Sequence, residues 1–338
     1  MYLLAPANAV QLMNRAMWFK KPFARELAQE KGVEFGYELK GQPETITEAP
    51  DLYWGYHLPN MFATEWYYHP ERRVDLLKRL SHLVKLNPQY LNFHGVHLLW
   101  QPPAEQYIHR YANYSDAEEH LKVLDSNIEF YRELKKLFPN TRITLENYPP
   151  FVFYHRDNCY TTMTYLYTGT GRLKDMLYLK EKAGVEILLD IEHLILTLNF
   201  INRERNYADI PVKKIEELSE IDKKLYEIYG YYTKRDFIPY ADGKIQLEDM
   251  VKTIGAKIYH VTGGVQDTDG KKIITHVPIE LNDQIFRQNL RLILAQKPEA
   301  ILNEVADSST GKEWDYLRPN ETEISFENLC QILLEEIK

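Results

Sequence analysis

Eight short runs of aliphatic and aromatic residues recur along the chain, separated by longer stretches in which apolar positions return every three or four residues. The runs are MYLLAPA (1–7), VEFGYEL (33–39), LYWGYHLP (52–59), YLNFHGVH (90–97), RITLENY (142–148), VEILLDIEH (185–193), AKIYHVTG (256–263) and AILNEV (300–305). Most are apolar almost throughout rather than alternating, the pattern of parallel strands covered on both faces. The stretches 71–86, 115–138, 171–184, 284–296 and 324–337 carry the period of amphipathic helices. Strands alternating with helices predict a parallel α/β sheet, and eight of them predict a closed (β/α)8 TIM barrel. An open doubly wound sheet would place a Gly-rich phosphate turn after its first strand, where APANAVQ stands instead.

The segment 199–247 is too long for an ordinary strand-to-helix connection. It is rich in tyrosine and holds one helix-like piece at 212–228. The expectation is a single barrel domain over 1–338 with 199–247 inserted after the sixth strand as a lid or contact element.

Charge and composition limit the partners. Lys plus Arg is 41 against 49 Asp plus Glu, a net charge of −8, so no global basic field draws in nucleic acid or an anionic membrane. No run approaches the roughly 18 apolar residues of a membrane span, and the N-terminus lacks the charged start and apolar core of a signal peptide. A cytoplasmic protein with no membrane partner is expected. Cys159 and Cys330 are too few for a disulfide framework and are not spaced as a thiolate metal clip, which predicts ordinary buried thiols.

Polar residues recur at the ends of these apolar runs. His57 ends the third, His94 lies near the end of the fourth, Glu146 ends the fifth, Asp190 and His193 end the sixth, His260 ends the seventh and Glu304 ends the eighth; His276 follows in THVPIE. In a parallel barrel all C-terminal strand ends meet on one face, so residues far apart in sequence would converge there. Burying an unpaired carboxylate or imidazole costs several kcal/mol, so three carboxylates and five histidines together require a compensating charge. A divalent cation supplies it. Imidazole with carboxylate and no thiolate suits Zn²⁺ first, with Mn²⁺, Fe²⁺, Co²⁺ or Mg²⁺ as alternatives, and eight candidate ligands exceed what one ion needs, pointing to two. Strand alternation separates His97 from His94 unless the chain turns after His94, so His97 is assigned a supporting place. His69, His82, His109, His120 and His155 fall in helical or loop contexts and are read as structural.

At these residues the chain resembles the xylose isomerase-like TIM-barrel superfamily, and within it AP endonuclease family 2, the endonuclease IV family. LNFHGVHL is similar to that family's metal-binding His strand, LENY to its Glu-Asn strand end, LLDIEHLI to its Asp-x-x-His motif, YHVTG to its later His strand, HVPIE to its His-x-Pro-Ile-Gly segment and ILNEV to its final Glu. The resemblance covers about 33–306. It implies that Glu146 bridges two ions, with His57 and His94 on one and Asp190, His260 and Glu304 on the other, while His193 and His276 serve a third. Two positions depart from the family: Ile274 stands where it has an Asp, and Glu280 replaces the Gly after Pro-Ile. Sugar isomerases and epimerases of the same superfamily hold one ion with two Glu, one Asp and one His, which Glu146, Asp190, His260 and Glu304 match; the Arg many epimerases carry is Gln266 here.

The resemblance implies metal-dependent phosphoester hydrolysis, with Glu146 and Glu304 as the catalytic carboxylates. The alternative is sugar or sugar-phosphate isomerisation by one ion, with the same two glutamates exchanging a proton with substrate carbon. His57 and His94 have no use in the second scheme. The substrate is thus a phosphoester or a sugar; DNA is disfavoured by the net charge, which Arg72, Arg73, Lys271 and Lys272 offset only in part.

Overall fold

The computed structural model describes residues 1–8, 11–59, 61–99, 117–148, 151–156, 159–167, 173–201, 246–263, 266–268, 272–274, 277–305 and 321–338. The strands among them, in chain order, are β1 (Tyr2–Ala7), β2 (Glu34–Lys40), β3 (Tyr53–His57), β4 (Tyr90–Phe93), β5 (His97–Leu99), β6 (Arg142–Glu146), β7 (Phe151–Arg156), β8 (Cys159–Tyr167), β9 (Glu186–Asp190), β10 (Ile258–Val261), β11 (Gln266–Thr268), β12 (Lys272–Ile274) and β13 (Ala300–Asn303). Eight of these, in the order β1-β13-β10-β9-β6-β4-β3-β2, close into a barrel in which each pair is parallel. The expected TIM barrel is therefore present, built from the eight runs read in the sequence.

Alternation along the strands explains why those runs are apolar throughout. Leu4, Tyr90, Leu188, Ile258, Ala300 and Leu302 form one buried cluster, to which Tyr2 and Tyr53 pack. Their strand neighbours Leu3, Leu91, Leu189, Tyr259 and Ile301 belong to a second, larger cluster shared with the helices. The first set fills the barrel and the second lies beneath the helix layer, as side chains alternate between the two faces of a strand.

At the N-terminal end of the strands Arg142 closes the interior. Its guanidinium donates two bonds of 2.7 Å to Glu299 and one of 2.8 Å to the Tyr53 hydroxyl, tying β6, β3 and the start of β13. The middle of the barrel depends on a glycine. A Cβ on Gly55 would run into the ring of Tyr90, which lies across the bare backbone of β3. Gly55→Ala is expected to destabilise the fold by about 1–3 kcal/mol through overpacking, read as a lower denaturant midpoint; an unchanged midpoint would mean that Tyr90 has room to move.

The helices expected at 71–86, 115–138, 171–184, 284–296 and 324–337 occur as Arg73–Ser81 with Leu83–Leu86, Ala117–Leu137, Leu173–Ala183, Gln284–Ala295 and Glu321–Glu336. Helices Leu12–Trp18, Pro22–Lys31, Met61–Tyr68 and Leu247–Ile254 add to them. Seven of the eight barrel strands are shorter than the sequence reading, and at two of them the chain does something else after the strand ends. The fourth ends at Phe93 rather than residue 97, and His97 opens β5, which pairs antiparallel with β8 in a separate sheet β5-β8-β7. The sixth ends at Asp190, and helix Ile191–Ile201 begins at once. This helix takes up the first residues of the proposed insertion; 202–245, including the piece at 212–228, lie outside the described residues. No helix among the described residues is long and apolar enough to cross a membrane.

Candidate metal centre

The C-terminal strand ends carry His57 on β3, Glu146 on β6, Asp190 on β9 and His260 on β10, with His94 and Glu304 just beyond β4 and β13. All six side chains are buried. They form two groups of mutually close ligand atoms, His57–His94–Glu146 and Glu146–Asp190–His260–Glu304, each spanning no more than 4.8 Å. Glu146 belongs to both.

Its two oxygens face different neighbours. Oε2 lies 3.0 Å from His57 Nε2 and 3.3 Å from His94 Nε2, and accepts a 2.5 Å bond from the Asn92 amide. Oε1 lies 3.5 Å from His260 Nδ1 and 3.5 Å from His193 Nδ1. Asn92 is itself held by a 3.1 Å bond from the Thr144 hydroxyl, so β4 and β6 together aim the carboxylate.

Local geometry determines which nitrogen of His57 is available. Nδ1 lies 2.9 Å from the Leu58 carbonyl, which can only accept, so Nδ1 carries a proton. In the neutral ring the Nε2 lone pair then confronts Glu146 Oε2, an arrangement that needs a proton or a cation between them. Burial pulls the His57 pKa down, but the bond to Glu146 prevails and raises it. At His94 burial prevails over the attraction of Glu146, and the pKa is lowered.

Asp190 shows how the strand-to-helix junction serves the site. Its main-chain N–H donates to Asn147 Oδ1 at 2.7 Å, and its carbonyl accepts from Asn147 Nδ2 at 2.9 Å, locking the ends of β6 and β9 together. Its Oδ1 accepts the His193 main-chain N–H at 2.7 Å, the bond of an N-cap to the third helical position. His193 is therefore one turn into a helix rather than at a strand end, the correction that follows from Asp190 capping. Its Nδ1 lies 3.0 Å from the Asn147 carbonyl.

Two functional candidates were missed in the sequence. Glu38, on β2, is fully buried and receives the Tyr90 hydroxyl at 2.8 Å and His260 Nε2 at 3.0 Å on the same oxygen. Lys40, at the end of the same strand, pairs with Glu304 through a very short contact and lies 3.9 Å from Glu38 Oε1. The only local signal in VEFGYELK is that Glu38 and Lys40 alternate with Tyr37 and Leu39 at the end of the run.

Electrostatics and hydrogen bonding test whether this set fits a divalent cation. Glu146 Oε1, Asp190 Oδ2, His260 Nδ1 and Glu304 Oε2 are each buried with no hydrogen-bond partner among the described residues, one atom from every member of the second group. His260 Nδ1 and Glu304 Oε2 approach to 2.6 Å out of line for a hydrogen bond. Burial, reinforced by the charges of Glu304 and Glu146, pushes Asp190 well above the usual carboxylate range. Burial opposes ionisation of Glu304 as well, but His260 and Lys40 hold it well below that range. Among the described residues one lysine, Lys40, stands against the buried carboxylates Glu38, Glu146, Asp190 and Glu304, so the remaining charge is balanced by protons on Asp190 and the histidines or by a cation. Oxygen and imidazole donors converging without thiolate suit a divalent ion.

His276 lies outside the described residues, as do Lys271 and the tyrosine-rich 202–245; β5 is described for His97 only as backbone. The other histidines with described side chains have structural partners: His82 Nδ1 meets the Arg79 carbonyl at 2.8 Å and His69 Nδ1 meets Glu71 at 3.2 Å. Arg72 pairs with Glu65 and Arg73 with Glu129, so neither offers an uncompensated charge to a polyanion. Cys330 is buried, and burial raises its thiol pKa.

No family model matches the chain, and no curated protein matches it. Among solved structures, a D-tagatose 3-epimerase-like protein is similar at 13% identity and a TM-score of 0.48, covering 100% of this chain and 98% of its own. A xylose isomerase-like TIM-barrel protein from Mycobacterium smegmatis in complex with magnesium is similar at 13% identity and a TM-score of 0.39, covering 93% and 78%. Likeness this remote carries no residue role or substrate across.

Proposed function

We propose that the chain is a divalent-metal-dependent hydrolase of phosphoesters with a two-cation centre, of the endonuclease IV type that its motifs resemble. The observation that carries this reading is the division of Glu146, whose Oε2 faces His57 and His94 while Oε1 faces the group containing His260. A single cation held by the second group leaves the two buried histidines of the first without a task.

When bound, the cations supply Lewis acidity to a phosphoester and to the water that attacks it. Glu146 would bridge them, His57 Nε2 and His94 would complete one site, and Asp190, His260 and Glu304 the other. Zn²⁺ suits the histidine content first. Glu304, paired with Lys40, would serve as a cation ligand. Lys40 is about one-third exposed at the mouth and would meet a substrate phosphate oxygen. Since Arg72 and Arg73 are neutralised by glutamates, a small phosphoester fits better than a DNA duplex.

A second reading has its own support: Glu146, Asp190, His260 and Glu304 by themselves form a compact one-ion group. In that case Glu146 and Glu304 would exchange a proton with a sugar carbon. The two separate in one experiment. Metal-loaded protein is assayed on phosphomonoesters and phosphodiesters, and in deuterated water on a panel of sugars and sugar phosphates. Phosphoester cleavage without carbon–hydrogen exchange is the expected result. Exchange dependent on Glu146 and Glu304, with no cleavage, would replace hydrolysis by isomerisation.

A further inference from the structure

We infer that Glu38, held in place by Tyr90, is a positioning residue that selects the tautomer of His260 and so presents its Nδ1 to the cation. The inference rests on reading Glu146, Asp190, His260 and Glu304 as a cation site, and it adds residues that none of the motifs contains.

The argument follows the protons. Tyr90 has one hydroxyl proton, which it donates to Glu38 Oε2 at 2.8 Å, so that oxygen is acting as an acceptor. His260 Nε2 reaches the same oxygen at 3.0 Å, and the contact is attractive only if Nε2 also carries a proton. The other carboxylate oxygen has Lys40 Nζ 3.9 Å away, and a cation there disfavours a proton on Oε1. Nδ1 lies 3.5 Å from Glu146 Oε1 and 2.6 Å from Glu304 Oε2, so a cation bound there takes the place of a proton on Nδ1, and His260 keeps its one proton on Nε2. The opposite tautomer would set the Nε2 lone pair against Glu38 Oε2 inside a closed barrel, where Glu38, Tyr90 and His260 are all fully buried.

The chain of contacts reaches further down. Tyr90 can place its hydroxyl on Glu38 because its ring lies against Gly55, which has no Cβ to displace it. A glycine on β3, a tyrosine on β4 and a glutamate on β2 thus determine which nitrogen β10 offers at the mouth. A carboxylate behind a ligating imidazole also raises its basicity, and loss of such a partner typically weakens metal binding by about 10–100-fold.

The test uses the full chain loaded with Zn²⁺ and labelled with ¹⁵N-histidine, the His260 signals being assigned by their loss in His260→Asn. Protonated Nε2 with coordinated Nδ1 is expected, and the reverse pattern would overturn the inference. Chelator competition then compares variants. Glu38→Leu should bind Zn²⁺ roughly 10–100-fold more weakly than wild type, with Glu38→Gln between them because its amide oxygen still accepts the Nε2 proton. Equal affinity in a folded Glu38→Leu would overturn the inference while leaving the cation site intact. A wild-type chain that takes up no divalent cation would instead remove the cation site itself. If Glu38→Leu does not fold, the wild-type tautomer decides alone.

Discussion

Glu146→Gln is expected to empty the centre: metal retained through purification should fall close to zero, and affinity for added Zn²⁺ should drop by at least about 100-fold, beyond what loss of a supporting residue does. An amide keeps the size of the side chain but carries no charge, and its NH2 end cannot ligate. Whichever way it turns, it serves one of the two groups poorly: the histidines 3.0 and 3.3 Å from Oε2, or His260 3.5 Å from Oε1. The phosphoesterase rate should fall by about 10³-fold or more, since removal of the cations takes away both the activated water and the leaving-group stabilisation. Stability should fall with it, because a cation at 100 times its Kd adds about 2.7 kcal/mol to the native state. Elemental analysis with a thermal melt checks the result. Wild-type metal content in this variant would show that the centre is not organised around Glu146.

His94→Ala separates one-cation from two-cation chemistry. The side chain is buried beside Glu146 Oε2, 3.3 Å away, and is not a member of the second group. Burial lowers its pKa, so at neutral pH the ring is unprotonated and needs to lose no proton to bind a cation. The expected outcome is loss of one ion with retention of the other, and a fall in hydrolysis of about 10²–10³-fold, the scale of losing one group that stabilises developing charge. Full turnover in this variant would exclude the two-cation mechanism. A sugar isomerase working through Asp190, His260, Glu304 and Glu146 would tolerate it with little change.

The barrel could be read in the sequence because its strands are buried on both faces. Leu3 lies under helices and Leu4 fills the barrel, so both positions are apolar and the run stands out against the amphipathic segments. Short helices were harder to see. Leu12–Trp18 covers two turns, with Met13 and Met17 exposed, which breaks the polar face that a periodicity argument depends on. The sixth run continues through Asp190 to His193 in the sequence because Ile191 keeps its apolar character; the chain turns there because Asp190 caps a helix, an event signalled by one residue.

The site was legible where a polar residue interrupted a strongly apolar strand end. His57, His94, Glu146, Asp190, His260 and Glu304 were found that way, and the structure brings all six together. Glu38 and Lys40 sit in the same position on β2 but alternate with apolar Tyr37 and Leu39, so they looked like the polar face of an ordinary strand. Their role depends on pairing with His260 and Glu304, residues more than two hundred positions away, and local sequence carries no record of such a contact. Asn92 and Thr144, which aim Glu146, were hidden for the same reason.

Elemental analysis of the protein purified without chelator tests the central claim most directly. Two divalent ions per chain, zinc foremost, are expected from a centre in which Glu146 is shared by His57 and His94 on one side and Asp190, His260 and Glu304 on the other. A single ion would restrict the chemistry to the second group and favour isomerisation. A protein that neither retains nor takes up any divalent cation would contradict the account.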